Sequence, residues 1–302
     1  MCSPPQGSGY DPVYPRRLTA RSFAPATGHT LPEPANGSLL FSIQRKQRNL
    51  CQGIGLDMQV VNSFRKFGLV IPTLNETGNI PVLLDRIRTA LLSLDLDYEL
   101  LVVDDDSRDG TQDVVRKHAD ADPRIRLLVR RGQRGLAGAV IHGWRYTNAD
   151  LLGVIDADLQ HPPELLPDLI EGVRAGHDIA IASRYANGNS PDGWNAARHA
   201  VSRLGTLVSM PLQRAGRRVK DPLSGFFVVK RECLEGLNLR PAGFKILLEI
   251  LVRARIKSAV EIPFQFGLRH AGKSKADVKV ALDYFSLLGK LSRETFFGPG
   301  QR

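Results

Sequence analysis

The sequence predicts an α/β protein: a mostly parallel sheet with helices packed on both faces. Three observations carry this. Between Phe67 and Arg184, short runs of Val, Leu and Ile alternate five times with stretches of helical periodicity. The runs are apolar throughout instead of alternating apolar with polar, as strands covered on both faces must be. The acidic and polar residues gather where the runs end, which is where open parallel sheets bind their ligands.

Taken in order, "FGLVIPT" from Phe67 is an apolar run stopped by Pro72. "NIPVLLDRIRTALLSL" then places Ile80, Leu83, Leu84, Ile87 and Leu91 on one helical face. The strand "YELLVVDDD", the helix "TQDVVRKHA", the strand "RIRLLVR" and the helix "LAGAVIHGWRYT" follow. The strand "LLGVIDAD", the helix "PELLPDLIEGVRA" and the strand "DIAIASR" complete the alternation. Beyond Arg184 come a polar loop, "YANGNSPDGWN", a helical segment from about Ala196 to Ala215, and "VKDPLSGFFVVKRE". The tail has apolar residues near three-and-four spacing, Val278, Ala281, Leu282, Phe285 and Leu288, with Lys279, Asp283 and Lys290 largely off the stripe.

The expected organisation is a globular domain over 58–270 and C-terminal amphipathic helices in 271–302. Residues 1–57 are rich in Pro, Gly and Ser without periodicity and read as a disordered extension, with Met58 as an alternative start.

The chain has 302 residues, a formal net charge of +10 and a pI near 9.8, which favours an anionic partner. Its basic residues are spread out, and the clusters "RRGQR" and "GRRVK" lack interleaved aromatics. That argues against nucleic acid and for a phosphorylated substrate or an acidic membrane surface. Cys2, Cys51 and Cys233 are scattered with no CxxC, so neither a zinc site nor a disulfide framework is expected. No run of 18 apolar residues exists, so a membrane span is not expected, and the N-terminus lacks the apolar core of a secretory signal.

The stretch "VIDADLQHPPE" runs an apolar strand into two carboxylates. A carboxylate at the end of a buried strand is costly to desolvate without a positive partner. Asp156 and Asp158, two apart, point to the same side of an extended chain, and Gln160 joins them if the extension persists. Oxygen donors suit Mg²⁺ or Mn²⁺ better than zinc. An isolated D-x-D is equally compatible with one helix-capping and one solvated acid. His161 has no second His or Cys at ligand spacing and reads as a residue at a helix start. A second cluster, Asp104, Asp105 and Asp106, ends the second strand, where one acid can accept hydrogen bonds from a base or ribose. Asp109 or Thr111 then caps the next helix. "GQRGLAG" fits neither phosphate-loop spacing and reads as a tight turn into a helix packed closely on the sheet.

The strings "VIPTLNE", "VVDDDSRDGT", "DADLQHPPE", "ASRY", "DPLSGFFVVKRE" and "RHAGKSK", in this order from about Phe67 to Lys290, resemble the family 2 glycosyltransferases. The resemblance is to their polyprenol-phosphate (dolichol-phosphate) mannosyltransferase branch. It implies a GT-A, Rossmann-like fold and inverting transfer of a hexose, with mannose from GDP-mannose favoured, to a polyprenyl or dolichyl phosphate. A UDP-sugar donor is the alternative, and a non-catalytic nucleotide-binding regulator a more remote one.

By resemblance, Pro72, Leu74, Glu76, Val103 and Asp105 fall at nucleoside-binding positions, with Asp156, Ala157 and Asp158 also facing the nucleotide sugar. Asp156, Asp158 and Gln160 fall at the metal site. Arg184, Arg269 and Lys275 fall near the donor phosphates or the transfer centre, with Asp158, Arg184 and Arg269 taken as catalytic. Arg184, Arg198 and Ser202 fall at the acceptor phosphate. Two departures stand out: Leu74 replaces a usual Tyr, and "GKSK" brings an extra Lys273. The implied setting is peripheral, on the cytoplasmic face of a membrane. The chain would be held there by the tail's stripe, Phe285, Leu288, Leu291 and the Phe296–Phe297 pair, or by a small membrane anchor subunit; the same stripe is equally compatible with packing on the catalytic domain.

Overall fold

The computed structural model describes residues 64–186, 209–213, 219–237, 239, 245–265, 288–289 and 292–293. The elements are β1 (Lys66–Thr73), α1 (Ile80–Leu91), β2 (Asp97–Asp104), α2 (Thr111–Ala121), β3 (Ile125–Val129), α3 (Leu136–Arg145) and β4 (Leu151–Val154). They continue with α4 (Leu166–Arg174), β5 (Ile179–Ser183), β6 (Phe227–Lys230), α5 (Ile246–Arg253) and β7 (Ala259–Pro263). The seven strands form one sheet in the order β3-β2-β1-β4-β6-β5-β7. All pairings are parallel except those of β6, which runs antiparallel to both β4 and β5.

The apolar runs are buried on both faces, as their composition requires. Leu69, Ile71, Leu100 and Val102 join one core with Leu83, Leu84 and Ile87 of α1 and Leu169, Ile170 and Val173 of α4. Their neighbours Val70, Leu101 and Val103 face the other way, into a core with Val140 and Trp144 of α3 and Leu247 and Ile250 of α5. The residues buried on α1 are Ile80, Leu83, Leu84, Ile87 and Leu91, the face its spacing specifies. The turn before α3 has Gly132 and Gly135 at φ +65° and +126°. At Gly143 a Cβ would stand 2.6 Å from Val70 Cγ2, so α3 does pack closely on the sheet.

Strands β6 and β7 and helix α5 were not among the expected elements. α5 is buried on nearly all sides, so it lacks the polar face that marks a surface helix. The helical expectation over 196–215 lies mostly outside the described residues, and within them Met210–Leu212 form a single 3₁₀ turn. Of the stripe expected in the tail, Leu288 is described. It is 5% exposed and packs with Leu212, Leu223 and Leu248 of α5. No helix among the described residues is long and apolar enough to cross a membrane.

Leu288 therefore contributes to the fold. Leu288→Ala is expected to lower the unfolding free energy by about 2–5 kcal/mol, read from the urea midpoint at constant slope. A change within about 0.5 kcal/mol would mean that the contact with Leu248 is not made.

Candidate active site

The carboxyl ends of β1, β2, β4 and β5 lie on one edge of the sheet, with Thr73 opposite Asp104 and Val70 opposite Val154. Most of the acids on this edge are consumed in holding loops. Asp104 is fully buried and accepts from Ser107 N (2.8 Å), Gln112 Nε2 (2.8 Å) and Thr73 Oγ1 (3.1 Å). Asp109 accepts from Thr77 N (3.1 Å) and Thr111 N (3.0 Å). Asn75 N donates to Ser107 Oγ and Glu76 N to Thr111 Oγ1, so the "PTLNE" and "DDDSRDGT" loops are fastened together. The cap position of α2 is Gly110, at φ +91°, and neither Asp109 nor Thr111 occupies it. Asp109 serves the next N–H instead.

The expected nucleoside-binding residues are gathered here. Pro72, Leu74 and Glu76 are half-buried, and Glu76 Oε2 accepts from Asn79 Nδ2 at 2.7 Å. Val103 is fully buried in the core, and Ala157 is 4% exposed, so both can offer a ligand only backbone. Asp105 is 5% exposed and accepts from Arg130 Nη1 and Gly135 N, both at 2.8 Å. Burial pushes its carboxyl above the ordinary value, against the pull of Arg130.

Asp156 and Asp158 stand beyond β4, half-buried, while their neighbours Ile155, Ala157 and Leu159 are buried in the core. The alternation that puts the two acids on one side is thus present. The extended geometry does not persist to Gln160, which is half-buried like the two acids. Leu159 takes φ +61°, the chain turns, and Gln160 N donates back to Asp158 Oδ1 at 3.2 Å. Among the described residues no three His, Cys, Asp or Glu side chains form a metal cage.

Around Asp156 lies a cluster of charges. Arg184, directly after β5, makes a two-pronged ion pair with Asp221, Nε to Oδ2 at 2.8 Å and Nη2 to Oδ1 at 2.6 Å. The Asp221 side chain is 0% exposed and that of Arg184 10%. Burial alone would depress the guanidinium pKa, but Asp221, with help from Asp156, raises it. Lys245, at the start of α5, donates from Nζ to Leu223 O at 3.0 Å. Burial, with the repulsion of Arg184, lowers its amine to about 8, and Asp156 and Asp221 oppose that shift. His161 is buried between the rings of Phe226 and Phe264, and burial drops its pKa to about 3, so it is neutral. It sits just before the 3₁₀ turn Pro163–Leu165 that leads into α4, in keeping with a place at a helix start.

Asp221, Lys245 and Arg130 were not singled out from the sequence. The available signal was a charge adjoining an apolar element: Asp221 ahead of "FFVVK", and Lys245 ahead of "ILLEIL". Arg198, Ser202, Arg269 and Lys275 lie outside the described residues.

A sequence model of glycosyl transferase family 2 matches residues 69–236. A dolichol-phosphate mannosyltransferase of Pyrococcus furiosus is 41% identical over 228 residues, 76% of this chain and 64% of that protein. The chain thus spans slightly less than two thirds of that relative. A dolichol-phosphate mannosyltransferase of Saccharomyces cerevisiae is 35% identical over 236 residues, 75% of this chain and 86% of that protein. Among solved structures, glucosyl-3-phosphoglycerate synthase from Mycobacterium tuberculosis with Mn²⁺, UDP-glucose and phosphoglyceric acid superposes with a TM-score of 0.56 at 20% identity. That match covers 76% of this chain and 81% of the other, and it shows a shared GT-A fold.

The Arg184–Asp221 pair gives a direct test of the cluster. Asp221→Asn leaves a buried guanidinium without its counter-charge and is expected to cost about 3–5 kcal/mol in urea unfolding. Most of that loss should return in Asp221→Asn/Arg184→Met. A loss below about 1 kcal/mol in the single variant would contradict a desolvated pair.

Proposed function

Because the chain belongs to glycosyl transferase family 2, we propose that it transfers mannose from GDP-mannose to a polyprenyl phosphate of the dolichyl type, with inversion. The observation that carries this reading is the half-exposed pair Asp156 and Asp158 on the sheet edge that also presents the two fastened loops, with Arg184 and Lys245 close enough to Asp156 to shift with it. The relatives' names supply the substrate class.

The acids suit Mg²⁺ or Mn²⁺. Both are hard oxygen donors, and Mg²⁺ is commonly held by one or two carboxylates plus substrate phosphates instead of a full protein cage. A bare glycine opposite Asp156 also leaves its carboxylate room. Asp156 and Asp158 would hold the ion, and it would neutralise charge on the departing diphosphate.

The chain's own residues do the rest. The fastened loops around Pro72, Leu74, Glu76 and Asp105 bind and orient the nucleoside. The acceptor is a phosphate monoester whose second pKa is about 6, so it arrives ionised and needs no general base. This agrees with a site whose only nearby histidine, among the described residues, is neutral and enclosed by aromatic rings. An acceptor oxygen attacks the anomeric carbon as the nucleoside diphosphate leaves, and no proton has to move. Cationic side chains hold the two anions that would otherwise repel: Arg184 here, with Arg198, Arg269 and Lys275 assigned by resemblance, and the Ser202 hydroxyl assigned with Arg198 to the acceptor phosphate. The lipid acceptor places the work at a bilayer surface, on its cytoplasmic face. Attachment is through the C-terminal segment or a small membrane subunit.

The test is lipid extraction after incubation with radiolabelled GDP-mannose or UDP-glucose and a polyprenyl phosphate. Label from GDP-mannose should enter the lipid, vanish with EDTA and return with Mn²⁺ or Mg²⁺. Asp156→Ala and Asp158→Ala should each abolish nearly all transfer with an unchanged melting temperature. Full activity in chelator would remove the metal from the reading, label from UDP-glucose alone would change the donor, and no lipid label from either would overturn the reading. Arg198→Ala should raise KM for the lipid phosphate roughly ten- to a hundredfold, the loss of a charge-assisted contact of about 1.5–3 kcal/mol, and leave KM for the nucleotide sugar nearly unchanged.

A further inference from the structure

Gly225 has no conformational reason to be glycine, since its φ lies outside the left-handed region that other glycines of the chain occupy. Its reason is spatial. A Cβ built on Gly225 would stand 2.2 Å from Asp156 Oδ2, 2.7 Å from Cγ and 2.9 Å from Oδ1. All three atoms of the carboxylate fall inside contact distance, so a methyl group at this position requires the carboxylate to move.

The backbone around Gly225 is held on both sides. Ser224 N donates to Asp221 O at 3.3 Å, and Phe226 N donates to Ser224 Oγ at 3.2 Å. The Phe226 side chain is fully buried, with its ring against His161. Behind Asp156, His161 Nδ1 stands 3.8 Å from Oδ2. The loop is anchored in the core, whereas Asp156 is half-exposed. When the two collide, the carboxylate is the part that yields.

We infer that Gly225 is a positioning residue for the cation site: its missing side chain is the space in which the Asp156 carboxylate stands. A methyl group there displaces the carboxylate while the domain stays folded. This inference rests on the reading that Asp156 and Asp158 hold a divalent cation together with a nucleoside diphosphate.

The test follows free Mn²⁺ by electron paramagnetic resonance as the full chain is titrated in the presence of GDP. The parent, Gly225→Ala and, as the reference for loss, Asp156→Asn are compared. The parent should take up Mn²⁺, and Gly225→Ala should bind it at least tenfold more weakly. Thermal unfolding of Gly225→Ala, Asp156→Ala and the double variant separates this from a general defect. Any destabilisation by Gly225→Ala in the parent should largely disappear in the Asp156→Ala background, where the carboxylate it meets is gone. Parent-like Mn²⁺ uptake by Gly225→Ala overturns the inference alone, as does a destabilisation that persists undiminished without Asp156. Absence of Mn²⁺ uptake by the parent itself overturns the cation reading, and this inference with it.

Discussion

The buried ion pair between Arg184 and Asp221 is the joint on which the later half of the sheet depends. Arg184 follows β5 directly, and its backbone N–H as well as its guanidinium donates to the Asp221 carboxylate. The backbone of the same loop is held from the other side, where Lys220 N and Asp221 N donate to the two oxygens of Glu261 on β7 (2.9 and 3.0 Å). One loop thus ties the end of β5, the approach to β6 and the edge strand β7. The antiparallel β6 needs no crossover helix, so its place between β4 and β5 is set by this loop and its ladder bonds. A desolvated pair of charges returns its cost only when its geometry and hydrogen bonds are complete. Here they are: the pair is two-pronged and the carboxylate takes a backbone donor besides.

The same rule sorts the acids of the sheet edge into two kinds. Asp104, Asp105, Asp109 and Asp221 are wrapped in donors from neighbouring loops and hold the architecture. Asp156 and Asp158 are half-exposed, and Asp156 lies near Arg184 and Lys245. Fastening the β1 and β2 loops to each other ties the rim of the sheet edge together, and on the proposed reading the nucleoside would meet a surface already ordered. The chemistry is then left to the residues after β4 and β5.

Most of the first five strands and first four helices was legible because each apolar run is bounded by a turn residue and each helix carries one clear stripe. Ile80, Leu83, Leu84, Ile87 and Leu91 are an example in which spacing alone named the buried face. The end of the domain was not legible for the opposite reason. Helix α5 is apolar around most of its circumference, which erases the period, and "FFVVK" carries no mark of its antiparallel direction. The site was half legible. Asp156 and Asp158 were visible as a strand-end pair, but the turn ahead of Gln160 was not, because a left-handed Leu159 is not announced by its side chain. The partner of Arg184 lies far along the chain, and no local pattern links an arginine after one strand to an aspartate before another. Gly225 is invisible for the same reason: the carboxylate it faces follows a different strand, β4.

The charge balance of the described cluster bears on what a diphosphate would meet there. Two carboxylates, Asp156 and Asp221, stand near two cations, Arg184 and Lys245, with His161 neutral and Asp158 two residues along from Asp156. The chain's formal charge of +10 is therefore not concentrated at this point among the described residues. Two like charges 4 Å apart repel by about 1 kcal/mol in water and about 4 kcal/mol at the effective dielectric near a protein surface. A nucleoside diphosphate entering this cluster without a counterion would face that repulsion from the Asp156–Asp158 pair, with Arg184 already engaged by Asp221. A divalent ion held by Asp156 and Asp158 would offset that repulsion by supplying positive charge. On the proposed reading, the ion would supply positive charge beside the acids, and Arg184, with Arg198, Arg269 and Lys275 assigned by resemblance, would orient the two anions.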